Sequence, residues 1–214
     1  MIEETVDAKR GAWWHRNRLW LALLLPLLVL ALAASSFRLV TLYLPWQWSR
    51  PVIAGDVVGV LHQNYLELDG QRRDREVQVE VRSVERHESF DETKAVDGAA
   101  LWVVSLELRA DPDQFLYGCE VELTDAAGDR YDFRSSLEHV DEGGFYLSPA
   151  LVPCVPEEAP GPTVEPFTGK VVPSPVERPA AWREEVLIAM PEGKEPDAVR
   201  IGWSRPDYLV LDIP

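Results

Sequence analysis

The stretch of sequence that decides the fold is AALWVVSLELR, residues 99–109. Its even-numbered positions all carry apolar side chains: Ala100, Trp102, Val104, Leu106 and Leu108. The opposite side of an extended chain carries a more polar set: Val103, Ser105, Glu107 and Arg109. A period of two is typical of a β-strand that buries one of its faces. The stretch therefore predicts a half-buried strand.

The same alternation recurs on both sides of this strand. In residues 76–86 three valines alternate with polar residues, and a later run repeats the pattern with Tyr117, Cys119, Val121 and Leu123. The residues between Asp125 and Asp129 form a turn signal, after which residues 130–134 return as the partner strand of a hairpin. Residues 185–190, 198–203 and 208–213 read as three closing strands.

Short strands at this spacing favour an all-β fold over residues 57–214, with residues 45–56 as a connector before it. We expect an antiparallel β-sandwich, and the strand spacing leaves a barrel open as the alternative. Eight of the seventeen prolines lie in residues 153–181. Since proline disfavours both helix interiors and central strands, this segment is predicted to be a long extended loop.

A membrane segment precedes this domain. Residues 19–37 contain no charged side chain and nine leucines, and apolar residues resume as far as Leu44. Nineteen helical residues span about 28 Å, close to the roughly 30 Å of a bilayer core. Pro26 can kink such a helix without preventing it from crossing. We therefore predict one transmembrane helix over residues 19–44, with its core at 19–37.

The flanks of the membrane segment predict its orientation. Residues 1–18 carry four basic side chains, whereas only Arg38 and Arg50 follow the segment up to residue 50. The positive-inside rule then places the tail in the cytoplasm and the C-terminal domain outside. The predicted membrane-interface residues are Trp13, Trp14, Arg16, Arg18, Arg38, Tyr43, Trp46 and Trp48. The alternative is a signal peptide cleaved after Ala33, which would release the domain.

The negative charge is concentrated in the outer part of the chain. The whole chain has a net charge of −15, but residues 51–214 hold 33 acidic and 15 basic side chains, a net −18. This charge argues against binding to nucleic acid, which requires a positive surface. It indicates either a well-solvated surface or an attraction to cations or to a basic partner.

Two cysteines, Cys119 and Cys154, both fall in the predicted outer domain. Because the outside of the cell is oxidising, we expect them to form a disulfide. Two unpaired buried thiols are the alternative.

The strand 102–108, the later run 121–131 and the closing segment 186–191 together resemble a known family. In that family a strand and a polar linker precede an L-x-D-x-x-G-x-x-Y pattern, here Leu123 to Tyr131, and a late strand ends in proline. The pattern resembles the telokin-like, immunoglobulin-like domains of bacterial, mainly actinobacterial, membrane proteins and lipoproteins. The resemblance implies an extracytoplasmic immunoglobulin-like sandwich with no shared catalytic residues. The proline-rich stretch departs from the family pattern.

Motifs typical of catalytic or metal-binding sites are missing from the sequence. The histidines do not form an H-x-x-x-H pair, and no G-x-S-x-G or P-loop occurs. We therefore predict no catalytic, cofactor-binding or metal-binding residue, and a non-enzymatic protein that contacts the lipid bilayer and a protein or envelope component. The alternatives are a ligand- or calcium-binding module, with the loops Asp91–Asp97 and Asp125–Asp132 as candidates, and a membrane-tethered hydrolase.

Overall fold

The computed structural model describes residues 3–43, 47–66, 71–116, 118–134, 136–139, 144–145, 154–165 and 170–214. The chain divides into two compact units, Met1–Gln47 and Trp48–Pro214. The first unit is helical and the second is built from β-strands in several sheets. The prediction of a β-rich domain after one apolar helix is therefore confirmed.

The helical unit consists of α1, Glu3–Arg38, which continues as a π-helical turn over Leu39–Tyr43. Pro26 lies inside α1 without ending it. Within the 26 residues Arg16–Thr41, the most apolar window of 18 residues has a mean hydropathy of 2.3, and none of this window is buried within the protein. A helix with this much unburied apolar surface is compatible with a single-pass membrane anchor.

The described residues of the second unit contain these strands: β1 Arg50–Ile53, β2 Val58–Leu66, β3 Arg72–His87, β4 Thr93–Ala95, β5 Ala99–Arg109, β6 Glu120–Asp125, β7 Arg130–Asp132, β8 Leu137–His139, β9 Gly144–Phe145, β10 Thr163–Val164, β11 Val171–Val172, β12 Ala181–Pro191, β13 Pro196–Gly202 and β14 Asp207–Asp212. The strand β1 lies inside the stretch that the sequence reads as a connector. Tyr117, placed by the sequence pattern on a strand, falls outside the described residues.

Two larger sheets form the main part of the unit. One has the order β12-β5-β3-β2 and is antiparallel throughout, and the other has the order β1-β14-β13-β6-β7, in which β1 runs parallel to β14. A three-stranded sheet, β4-β8-β9, and a short pair, β10-β11, complete the set. The apolar side chains of both larger sheets, such as Val79 and Leu106 from one and Val121 and Leu209 from the other, bury a common core.

The strand β5 lies in the middle of its sheet and pairs with β12 along its whole length. Its core side is as predicted, with Leu106 and Leu108 fully buried. On the other side the end of the strand is polar, where the Glu107 carboxylate accepts hydrogen bonds from Arg82 and Arg109, which hold its pKa below the ordinary value. At the beginning of the strand Leu101 is also buried, because the β4-β8-β9 sheet covers it.

The disulfide prediction is confirmed, since Cys119 and Cys154 are bonded with their Cα atoms 6.0 Å apart. Cys154 begins the described part of the proline-rich segment, and the indole N–H of Trp182 donates to its carbonyl at 3.2 Å. Within this segment Thr163–Val164 and Val171–Val172 form a two-residue pairing. The disulfide thereby ties the start of the proline-rich segment to the residue before β6.

Candidate interaction surface

Six side chains form a cluster of aromatic and charged groups on the β-unit, which we call the Trp48 surface: Trp48, Glu120, Glu122, Arg200, Arg205 and Tyr208. Four of them, Glu120, Glu122, Arg200 and Tyr208, lie on the side of β6, β13 and β14 that faces away from the core, because Val121, Ile201 and Leu209 next to them are buried in it. Period-two alternation presents these four on one face of the sheet, and Trp48 and Arg205 join them through their contacts with Glu120.

Trp48 packs against Gly202 of β13. A Cβ atom at position 202 would come within 2.7 Å of the indole ring, so this glycine makes room for it. The indole N–H donates to the carboxylate of Glu120, and the ring meets Tyr208 edge to face with centroids 6.3 Å apart. Edge-to-face packing and a hydrogen bond from the indole nitrogen together hold the ring in one orientation.

Two arginine–glutamate pairs flank these rings. Arg200 donates to Glu122 at 2.7 Å, and its guanidinium lies 4.0 Å from the centroid of the Tyr208 ring. Arg205 donates to Glu120 at 2.7 Å and lies 5.5 Å from the centroid of Trp48. Each arginine is therefore held by a carboxylate and by a cation–π contact.

The composition and rigidity of the Trp48 surface suit protein recognition. Tryptophan, tyrosine and arginine are the residue types that most often dominate the free energy of protein–protein binding. Side chains that are already held in place lose less conformational entropy when a partner binds. The Trp48 surface is therefore a candidate binding surface.

Of the two loops that the sequence offers as calcium sites, Asp125–Asp132 is occupied by a lysine. Lys194 Nζ lies 2.5 Å from Asp125 Oδ2 and 3.4 Å from Asp129 Oδ2. The other oxygen of Asp125 accepts the backbone N–H groups of Ala127 and Asp129, and Tyr131 donates to Oδ2 at 3.3 Å. Lys194 is the main cause that lowers the pKa of Asp125. This carboxylate therefore holds the β6–β7 turn together.

A polar cleft of about 570 Å³ lies beside the end of β2, with Gln63 and Arg75 in its lining. Arg75 is buried, donates to the carbonyl of Phe115, to Gln63 and to Ser204, and lies 4.0 Å from the centroid of the Tyr65 ring. These contacts bridge both larger sheets, because Ser204 connects β13 to β14. We interpret Arg75 as a structural residue.

The predicted membrane-interface residues divide between the two units. Trp13, Trp14, Arg16, Arg18, Arg38 and Tyr43 belong to the helical unit, and Trp46 falls outside the described residues. Their interfacial role stays a prediction. Trp48 belongs to the β-unit, where its contacts define a surface that sequence reasoning did not find. Within the described residues, no group of three or more His, Cys, Asp or Glu side chains is arranged to hold a metal ion.

Glu184 is a titratable residue on the core side of β12. It lies between Trp182 and Val186, which are both buried, and burial raises its pKa from 4.5 to about 7. In the described part of the chain no hydrogen bond or ion pair is found for its carboxylate. The ionised form therefore pays a desolvation penalty without compensation from a partner.

We expect Glu184→Gln to stabilise the protein at high pH only. Because the folded-state pKa lies above the unfolded value, the stability linked to Glu184 is complete below pH 4.5 and is lost as the pH rises through about 7. Glutamine imitates the protonated form, so its advantage in free energy of unfolding should grow from near zero at pH 4 to about 1–2 kcal/mol at pH 8, after discounting for partial exposure. Urea unfolding at both pH values measures this.

The matched control is Glu185→Gln, because Glu185 is the exposed neighbour on the same strand. At pH 8 it should change the free energy of unfolding by less than about 0.5 kcal/mol, because the side chain is exposed. An advantage of Glu184→Gln that is the same at pH 4 and pH 8 would show that Glu184 titrates normally.

The Trp48 surface has to be interpreted from its own geometry. Comparison of the chain with protein-family models, curated proteins and solved structures gave no match. A function for the surface therefore rests on the contacts of Trp48, Tyr208 and the two arginines.

Proposed function

We propose that this protein is a single-pass membrane protein whose β-rich domain, outside the membrane, binds another protein or a component of the cell envelope without catalysing a reaction. The observation that carries the proposal is the Trp48 surface, in which two half-buried rings and the exposed Arg205 are held in place on the outside of the five-stranded sheet, with the buried Arg200 beside them. The proposal includes an anchor that is retained, in the predicted orientation.

Two observations support the orientation. The tail before the apolar segment carries four basic side chains and three acidic ones, whereas the part after it carries nearly all the negative charge. The disulfide between Cys119 and Cys154 also belongs in an oxidising compartment, which is outside the cytoplasm. Both favour a cytoplasmic tail and an outer β-domain.

The strand connections support an immunoglobulin-like sandwich for the outer domain. From β5 the chain passes to β6 in the other sheet, returns to β12 beside β5, and crosses again to the antiparallel pair β13 and β14. Repeated crossing between two sheets that bury a common core is typical of immunoglobulin-like Greek-key sandwiches. Such domains present interaction surfaces on the outside of their sheets.

The chemistry of the surface indicates what it would bind. The two rings offer apolar area, and the acidic surroundings of the outer part, net −18, attract positively charged groups. We therefore propose a partner that packs an apolar group on Trp48 and Tyr208 and presents basic residues around it.

We expect Trp48→Leu to weaken partner binding strongly while preserving the fold. Leucine covers Gly202 but removes the ring and the indole N–H, and loss of a central aromatic residue costs about 2 kcal/mol or more of binding free energy, roughly a thirtyfold weaker complex. The measurement is quantitative recovery of cross-linked partners by the full-length protein in its native membrane.

The control for this experiment is Arg183→Ala, since Arg183 is an exposed arginine of the other sheet. It should leave partner recovery unchanged. Equal recovery by the wild type and by Trp48→Leu would contradict the role of the surface, and hydrolytic activity of the purified protein would contradict the non-enzymatic proposal.

A further inference from the structure

The two larger sheets have four edge strands, β1, β2, β7 and β12, and three of them are protected against pairing. The strand β1 contains Arg50 and Pro51, β7 contains Arg130 and Asp132, and β12 carries charged residues and ends in proline. Charges and prolines are the usual means by which proteins prevent edge strands from joining other chains. The nine residues of β2, VGVLHQNYL, include neither a formally charged residue nor a proline.

The hydrogen-bond pattern of β2 defines which backbone groups face away from its sheet. The N–H of Val81 donates to the carbonyl of Val57 at 2.9 Å, and this pair is in register with Val58 opposite Glu80. Since bonded and non-bonded pairs alternate in an antiparallel ladder, the backbone groups of every second residue from Val58 to Asn64 face outward: Val58, Val60, His62 and Asn64. In the described part of the chain no backbone group bonds to them on that side.

The uncharged side chains of β2 make this edge the place where a second copy of the chain can approach despite the charge of the domain. Two copies of an outer part with net charge −18 repel each other over most of their surfaces. The residues of β2 do not add to this repulsion, because the four residues whose backbone groups face outward are two valines, a histidine and an asparagine. Like charges opposite each other destabilise strand pairing, and β2 brings none to a second β2.

We propose that β2 pairs antiparallel with β2 of a second copy of this chain. In the register centred on Leu61, Val58 of one copy lies opposite Asn64 of the other, and Val60 lies opposite His62. All four outward residues then form bonded pairs, with about eight backbone hydrogen bonds across the interface. The two four-stranded sheets become one continuous sheet around a twofold axis.

Membrane anchoring compensates for the small size of this interface. A single pair of strands buries less than the roughly 800 Å² per partner of a stable complex between free proteins. Copies anchored by α1 in the same membrane meet at a raised effective concentration, which strengthens a weak contact. Val60, which is 37% exposed, adds apolar area at the centre of the pairing.

The test uses full-length protein with two different tags, co-expressed in one membrane. Val60→Pro removes an N–H that faces away from β3, so the fold should be retained while β2 pairing is blocked. We expect co-recovery of the two tagged copies to fall about tenfold. The matched control is Glu185→Pro on the edge strand β12. Because Ala180 is bonded to Ala110 and bonded positions alternate along the strand, the backbone N–H of Glu185 also faces away from β5. This variant should leave co-recovery unchanged.

A second measurement keeps the proposal testable if the proline variant fails to fold. The variant carrying Val60→Cys and His62→Cys should form a disulfide-linked dimer on mild oxidation in the membrane. A cysteine pair at Val172 and Val176, which are exposed and far from β2 in sequence, should not.

Three results would overturn the proposal. The first is the absence of a cross-linked dimer. The second is co-recovery of the two tagged copies that Val60→Pro leaves unchanged. The third is that Val60→Pro abolishes the recovery of a different protein, while the two tagged copies never co-purify. The last result would assign the edge to another partner. None of these outcomes depends on Trp48, so this proposal can fail while the Trp48 surface stands.

Discussion

Replacement of Arg178 by alanine is expected to lower the free energy of unfolding by about 3–4 kcal/mol. Arg178 is 1% exposed and is among the largest fully buried side chains of the protein. Its Nη2 atom donates to the carbonyls of Asp111 and Gln114 at 2.6 and 2.9 Å, and its guanidinium lies 4.9 Å from the centroid of the Trp182 ring. Alanine would leave both carbonyls buried without these donors, beside a cavity.

The contacts of Arg178 explain why a cation is found in the interior. Carbonyl oxygens and an aromatic face replace part of the water that the guanidinium loses. Within the described residues Nε is buried without a hydrogen-bond partner, and burial lowers the pKa of Arg178 from the ordinary value. Nη1 also lies 3.4 Å from the carbonyl of Pro160. The side chain therefore holds the proline-rich segment against the loop that follows β5. Gly161 leaves space for it, because a Cβ there would come within 2.8 Å of Nη1.

Denaturant unfolding of the full-length protein in detergent, followed by tryptophan fluorescence, measures this loss. Arg183→Ala is the matched control, since the Arg183 side chain is 77% exposed, and it should change the free energy of unfolding by less than about 0.5 kcal/mol. A cost for Arg178→Ala as small as that of the control would contradict the structural role of Arg178.

Removal of the disulfide by Cys119→Ala and Cys154→Ala is expected to have an effect of similar size. The bond spans a sequence separation of 35 residues. Without it the unfolded chain gains loop entropy equivalent to about 3.8 kcal/mol. The folded state also loses packing, because both cysteines are buried in the main core.

Unfolding of the wild type with and without reductant provides the comparison for the double variant. Reductant should destabilise the wild type by a similar amount and leave the double variant unchanged. If the double variant equals the oxidised wild type in stability, the disulfide contributes nothing to folding. Arg178 and the backbone carbonyl of Cys154 both contact Trp182, and loss of the disulfide loosens the same segment, so we expect the triple variant to lose less than the sum of the two effects.

Several features of the fold were predictable because they depend on neighbouring residues. The period-two pattern of residues 99–109 placed Leu106 and Leu108 in the core, and the turn signal after Leu123 predicted the β6–β7 pairing. The uncharged run from residue 19 predicted a helix that can cross a membrane. Cysteine pairing followed from having only two cysteines, both in the predicted outer domain.

Other features were not predictable because they join residues far apart in the chain. The hydrogen bond from Trp48 to Glu120 spans 72 positions, and the pairing of β1 with β14 joins opposite ends of the β-unit. The burial of Leu101 depends on Leu137, which a separate small sheet brings over it. No local sequence pattern predicts these partners. The periodicity of a strand indicates which of its faces is apolar, but it does not indicate which residues pack on that face.

The sequence by itself determined the kinds of element, the faces that they bury and the distribution of charge along the chain. These follow from side-chain polarity and backbone geometry within a few residues. Only the tertiary structure decided that Trp48 packs on Gly202, that Arg178 is enclosed by carbonyls, and that β2 is the larger-sheet edge without charge or proline within the described residues. Strand order and sheet packing set these relations, because they determine which distant side chains meet.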